Sequence, residues 1–405
     1  MFYLRASIAK IPRWFARCQP SAIEGAGTGT GMGLTLHIRC TPEPWFRQAR
    51  QQIAETLVLP HAPRLRSLTL LSTAVYAPYL TGPPAGIFPS LEVLHLADHE
   101  ASVADARDVD AMTVFGELPK LRVYRHSSRL AGGHVSSMPV FIPWGQLEVL
   151  DLGGTWISLH TCWDVLFQCK RLMECTLQAV SCRCAPPRAC TYLETHVVFP
   201  DLRHFEVTIH GPDDCTVLLG GMTAPKLEEF SYTADVWSHT AFMGLSNRSR
   251  LPYVLRTVSI SGECTGGEAY EILQCHPRLV KAVFLKGAVF GGREMEEIGR
   301  GEVGKHVGVL YCGAEETGAA VSMLIARSML GVEVAGERGR DRKSGGDWES
   351  GKDEKRGGVA RLSRGAIRVP EVPTTNQLVE LKRVQDAKPG EGWFALHVES
   401  RAPVF

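Results

Sequence analysis

A chain of 405 residues is long enough for two or three domains, yet its formal net charge of +1 offers no global attraction to nucleic acid or to an anionic membrane. Hydrophobic residues make up 44% of it, enough for a packed core, and no apolar run reaches the roughly 18 residues of a membrane span.

The opening MFYLRASIAKIPRWFARC carries Arg5, Lys10, Arg13 and Arg17 and no acid before Glu24. Ile8, Ile11, Trp14 and Phe15 fall on one side of a helix, so we expect a capping helix here. The same basic composition also suits a mitochondrial presequence, and that alternative stays open. The glycine-rich Gly25 to Gly33 resembles a phosphate-cradling loop, but LTLHI (Leu34 to Ile38) reads as a strand after the glycines rather than before them, so a connector is expected. Residues 1–56 are read together as N-terminal cap and connector.

From Leu57 to Phe290 one phrase recurs nine times. It is L-x-x-L-x-L with apolar substitutions, often after proline: PRLRSLTL, PSLEVLHL, PKLRVYRH, GQLEVLDL, KRLMECTL, PDLRHFEV, PKLEEFSY, YVLRTVSI and PRLVKAVF. Its first leucines are Leu65, Leu91, Leu121, Leu147, Leu172, Leu202, Leu227, Leu255 and Leu279, spaced 24 to 30 residues apart. That spacing brackets the period of leucine-rich repeats, about 20–29 residues. Alternation predicts strands with Leu68, Leu70, Leu94, Leu96, Leu150 and Leu152 inward and Thr69, His95 and Asp151 outward. One such strand cannot bury its apolar face alone, so the units must stack. The expected fold is α/β: an irregular leucine-rich-repeat solenoid with a parallel sheet on the concave face. Helical returns are expected at Thr161 to Cys169, with Thr161 as N-cap and Trp163, Leu166 and Phe167 on the apolar side, and at Gly266 to Cys275, with Tyr270, Ile272 and Leu273. The returns at TGPPAGIFP before Leu91 and at ISLH after Leu152 read as irregular.

Twelve cysteines raise the question of a metal. Cys182, Cys184 and Cys190 are close in sequence and His196 follows, but C-x-C is one residue too tight for a zinc pair and no second pair matches it. Cys169, Cys175 and Cys275 read as small buried apolar groups. No metal and no cofactor are expected, and reduced thiols point to cytoplasm or nucleus. There the Asn247-Arg248-Ser249 sequon would go unused. No nucleophile, base and orienter stand in a recognisable local pattern, so no enzyme activity is expected. His95, His126 and His204 sit in repeat strands and read as surface or capping groups.

Beyond Phe290 the phrase fades. Residues 291–335 are expected to form a helical extension, chiefly Ala314 to Leu330, where Val321, Leu324, Ile325 and Met329 keep helical spacing. Residues 336–358, rich in glycine and both charges, lack the aliphatic groups to offset ordering entropy and are expected to be disordered. The tail 359–405 is expected to return one or two strands, NQLVELKRV (Asn376 to Val384) foremost.

Several of these segments together, LTLHI, LVLPHAPRLRSLTL, FPSLEVLHL, WGQLEVLDL, CKRLMECTL and CHPRLVKAVF, resemble the leucine-rich-repeat region of the large F-box protein families of mushroom-forming fungi. The resemblance covers about Trp14 to Phe290, and its LPHAPR opening is the more specific element. It implies recruitment of protein targets to a cullin-type ubiquitin ligase, the F-box gripping the adaptor and the repeats the target. Nothing like the family's LPPEIL opening and CRRW segment precedes Trp14. Two expectations follow: a substrate-receptor-like array without its own F-box, or a stand-alone scaffold or truncated gene product with no ubiquitin role. The partner expected is a protein, with no nucleic acid and no membrane.

Counted from each anchor leucine, the second and fourth following residues face outward. They include Asp151, Glu174, Glu206 and Glu229 on four consecutive repeats, with Thr176, Thr208 and Ser231 beside them. The expectation is an acidic strip suited to a basic partner segment, diluted by nearby Arg203 and His204.

Overall fold

The computed structural model describes residues 34–39, 53–71, 80, 83–98, 113–128, 142–180, 196–210, 216–337, 362, 364–370, 373–386 and 393–398. The expected capping helix at Ile8 to Phe15, the glycine connector, the Cys182, Cys184 and Cys190 group and residues 338–358 lie outside them. The chain divides into two compact units, residues 1–189 and 190–405.

In the first unit six strands pair in sequence order and all in parallel. They are β1 (Leu34–Arg39), β2 (Leu65–Leu71), β3 (Val93–Asp98), β4 (Val123–Ser128), β5 (Val149–Ser158) and β6 (Glu174–Val180). Among its described residues the return after β5 is the α-helix α1 (Leu159–Gln168), and short helical turns over Ala54–Val58 and Leu59–Arg64 lead into β2. The stretch before Leu91 is a run of turns, as its prolines and glycines predict.

The second unit opens with β7 (Val197–Val198), then β8 (His204–His210), α2 (Thr216–Gly220), β9 (Met222–Thr223), β10 (Glu229–Ala234) and α3 (His239–Ser249). It continues with β11 (Thr257–Ser261), α4 (Gly266–Cys275), β12 (Lys281–Phe284), β13 (Val289–Phe290) and α5 (Gly292–Arg300). Last come β14 (Val309–Ala314), α6 (Thr317–Glu337), β15 (Arg364–Val369), α7 (Thr375–Asp386) and β16 (Trp393–Val398). Its sheet runs β8-β10-β11-β12-β14-β15-β16, parallel throughout, with β13 also on β14, while β7 and β9 form a separate small pair. The fold is therefore α/β, with parallel sheet and helical returns.

One local geometry repeats. All nine anchor leucines are at most 1% exposed, each worth roughly 1.5–3 kcal/mol of burial. The anchor closes a tight turn: Leu91, Leu121, Leu227 and Leu279 donate their N–H to the carbonyls of Phe88, Leu118, Ala224 and His276 at 3.1–3.2 Å. The next carbonyl then accepts twice from the following repeat, as Arg122 does from Glu148 and Val149 (2.8 and 3.0 Å) and Arg256 from Val280 and Lys281 (2.8 and 3.1 Å). These bonds set anchor against anchor, so β3, β4, β5, β6, β8, β10, β11 and β12 each start two residues after their leucine, while β2 starts on Leu65 itself. Side chains clamp the turns as well. Gln146 Nε2 donates to the carbonyls of Leu118 (2.6 Å) and Leu121 (2.9 Å), and Arg248 Nη2 to that of Leu219 (2.6 Å), leaving fewer buried backbone acceptors unpaired.

Helix boundaries follow local chemistry. The helix Gly266–Cys275 lies where helical spacing puts it and opens with a reciprocal cap, Thr265 Oγ1 accepting from Glu268 N and Glu268 Oε2 accepting from Thr265 N. Gly266 is required there because an added Cβ would lie 1.9 Å from the Val289 carbonyl oxygen. In α1 the cap is Ser158 rather than Thr161: its Oγ accepts from Thr161 N at 3.0 Å. Ile157 and Ser158 end β5, and Leu159 and His160 already belong to the helix, so the ISLH stretch is regular.

Other corrections concern faces and the tail. Thr69 is 7% exposed, covered between His37 and His95 on the neighbouring strands. Phe167 is exposed because the buried arc of α1 runs through Cys162, Trp163, Val165 and Leu166, and Lys170 Nζ sits 4.4 Å from its ring centroid. The stretch expected as a helical extension, 291–335, contains β14 between its helices. NQLVELKRV is helix α7, and the tail's two strands, β15 and β16, flank it. The anchor geometry also extends past Leu279: Val307 closes the same turn onto Gly304, and Leu362, 1% exposed, stands two residues before β15.

Candidate protein-binding surface

Each strand buries alternate side chains and turns the rest to solvent. Leu150, Leu152, Cys175, Phe205, Val207 and Phe230 have no exposure, whereas Asp151, Thr176, Glu206, Thr208 and Ser231 between them are partly exposed and Glu174 and Glu229 exposed. All seven residues thus project from the sheet as the counting predicts.

Their mutual arrangement differs from a single acidic row. Because anchors align with anchors, a residue two places after its leucine meets another such residue. In the first unit Asp151 pairs in register with Thr176 and Glu174 with Val149. In the second, Glu206 meets Ser231, Thr208 meets Thr233, and Glu229 meets His204 on one side and Thr257 on the other. Carboxylates therefore alternate between two rows. Cations also interleave: Arg125 Nε is 4.0 Å from Asp151 Oδ2, and His204 Nδ1 is 2.9 Å from Glu229 Oε2. Such exposed pairs contribute little stability, about 0–1 kcal/mol, but they cancel much of the field the carboxylates would project. Toward β11, Ser231 faces Ser259, and Thr233 and Ser261 add neutral hydroxyls on the same two strands, with Glu206 on the other side.

A second pattern escaped the counting. Charges beside the anchors pair across adjacent repeats, Arg66 with Glu92 at 4.0 Å, Arg122 with Glu148 at 3.5 Å and Lys226 with Asp201 at 2.7 Å. The signal was present in the alternation of basic and acidic residues directly around each anchor leucine.

The buried polar groups work inside the fold. Ser246 and His276 carry the Ser–His contact of a nucleophile and its base, yet neither has any solvent exposure. His126, on β4, takes a hydrogen bond at its backbone carbonyl from Thr155 Oγ1 at 2.8 Å, and burial, helped by the nearby His95, brings its ring down to about 4. Burial pushes the thiols of Cys162, Cys169 and Cys264 up to about 12 and that of Cys175 well above its ordinary range. Thiols held in the protonated form are poor nucleophiles and poor metal ligands. Among the described residues no group of three or more His, Cys, Asp or Glu side chains is placed to hold a metal ion. No helix among them is long and apolar enough to cross a membrane.

No protein-family model matches the chain, and no curated protein matches it significantly.

Proposed function

We propose that this chain is a protein-recognition module, a leucine-rich-repeat solenoid whose concave, outward strand face takes a protein partner. One observation carries the reading: parallel strands in anchor-to-anchor register present adjacent rows of solvent-facing polar side chains, Glu206 and Ser231 among them, over a predominantly apolar inner layer. Such a face is rigid, extended and variable residue by residue, which suits recognition of a protein surface. With the resemblance to the repeat region of fungal F-box proteins, it favours the role of substrate receptor in a ubiquitin ligase pathway; a stand-alone scaffold is the second reading. Asp151, Glu174, Glu206, Glu229, Thr176, Thr208 and Ser231 are the proposed contact residues.

Co-purification of the full chain from its own cell extract separates the two readings. Recovery of the cullin-ligase adaptor supports the receptor, and its repeated absence beside a reproducible partner supports the scaffold. If Glu174→Gln, Glu206→Gln and Glu229→Gln together leave the captured partner's affinity and salt dependence unchanged, these carboxylates are not the contact.

A further inference from the structure

Within the second unit, the edge at which strands begin changes character from one repeat to the next. On the repeats of β8 and β10, residues 200–204 and 225–229 carry both signs and pair them, Lys226 with Asp201 and His204 with Glu229. On the next three repeats the corresponding residues, 253–257, 277–281 and 305–309, contain Arg256, Arg278, Lys281 and Lys305 and no acid. Arg256, Arg278 and Lys281 are exposed and Lys305 partly so. No carboxylate among the described residues lies within ion-pair distance of any of the four, and Arg278 Nη1 spends a donor on the Tyr253 backbone carbonyl at 2.9 Å, which ties the guanidinium to the preceding repeat. Two apolar side chains stand among the cations, Tyr253 at 69% and Val280 at 48% exposure. Glu228, in line with Arg256, bounds the patch on the side of β10.

We propose that this edge is a docking surface for a short acidic peptide segment of a protein partner, carrying carboxylates for Arg256 and Lys281 and an apolar side chain for Tyr253 and Val280. The inference rests on the protein-recognition reading and names the chemistry of one partner element. Charge complementarity is the argument: in a chain of net charge +1 this corner holds four cations outside ion-pair distance of any described carboxylate, with Glu228 alone bordering it, while the neighbouring repeats pair theirs. Size selects the class of partner. β11, β12 and β14 are adjacent and lie roughly 4.8 Å apart, so the patch spans about 10 Å, the reach of about three extended residues. Its four cations are fewer than the roughly 6–10 phosphate contacts through which a nucleic-acid interface gains strongly salt-dependent affinity. Arginine's planar fork suits a carboxylate, and exposed tyrosine supplies contact area at low entropic cost.

The test uses the full chain and a labelled peptide of alternating Glu and Asp with one central Leu, beside its Gln/Asn counterpart, a short oligo(dT) and phosphatidylcholine vesicles containing phosphatidylserine. The acidic peptide should bind, weaken with added salt and lose about tenfold in affinity in the Arg256→Glu/Lys281→Glu variant, while the amide peptide does not bind. Equal binding of the amide peptide, no loss in the variant, or tighter binding of oligo(dT) or vesicles overturns the proposal. The urea midpoint of the variant checks its folding, and Arg256→Gln/Lys281→Gln replaces it if the reversal unfolds the unit. A captured partner that is lost on changing Glu206 and Glu229 but indifferent to Arg256 and Lys281 leaves the recognition reading standing and overturns only this one.

Discussion

Ser246 Oγ lies 2.7 Å from His276 Nε2, and the other nitrogen of the ring lies 2.8 Å from the Ile272 carbonyl oxygen, so the two groups join α3 to the end of α4 without solvent contact. The carbonyl can only accept, so Nδ1 carries the proton and Nε2 accepts from the serine hydroxyl. One neutral imidazole satisfies both partners. Ser246→Ala leaves Nε2 buried without a donor and should cost about 1–3 kcal/mol, read from the urea midpoint at pH 8.

Acid should weaken the fold through the same ring and through His126. Burial lowers the His276 value, against a smaller upward pull from the Ile272 carbonyl, and lowers that of His126 from 6.5 to about 4. Below pH 6.5 the unfolded chain binds protons that the native rings refuse, so stability is full above that pH and falls as pH drops toward 4. For His126 the loss across that window is about 3 kcal/mol. Urea midpoints measured from pH 7.5 to 4.5 should decline, and His126→Gln should decline less steeply than the parent.

Two adjacent glycines give an internal contrast. Gly266 has the Val289 carbonyl in the place of a Cβ, whereas Gly267 has nothing within 4 Å. Gly267→Ala should stabilise α4 by up to about 1 kcal/mol, and Gly266→Ala should destabilise it. Thermal melts of the two variants check the sign of each.

The strand register was legible because most anchor leucines are followed by alternating apolar and polar residues, and the strands bury the apolar set. Leu150→Ala, at a site with no exposure, should therefore cost roughly 2–5 kcal/mol in urea unfolding. The Val307 repeat was hidden because valine replaces the anchor and Gly304 and Gly308 dilute the phrase. In NQLVELKRV the apolar Leu378 and Leu381 stand three apart, and Thr374 caps Gln377 reciprocally, its N–H donating to Gln377 Oε1 at 2.7 Å. That capping signal lay in the sequence, and the β-branched valines outweighed it. The row structure of the outward face was not legible, since it depends on anchor-to-anchor hydrogen bonds that no single repeat contains.

Comparison of faces tests the recognition account most directly. Glu206→Ala with Ser231→Arg alters one row of the outward strand face, and Asn247→Ala with Gln274→Ala alters exposed positions on the helices α3 and α4. Affinity of each full-length variant for the partner captured by the parent chain should fall at least tenfold for the strand-face variant and stay unchanged for the helix variant. Loss in the helix variant with the strand-face variant intact would contradict it.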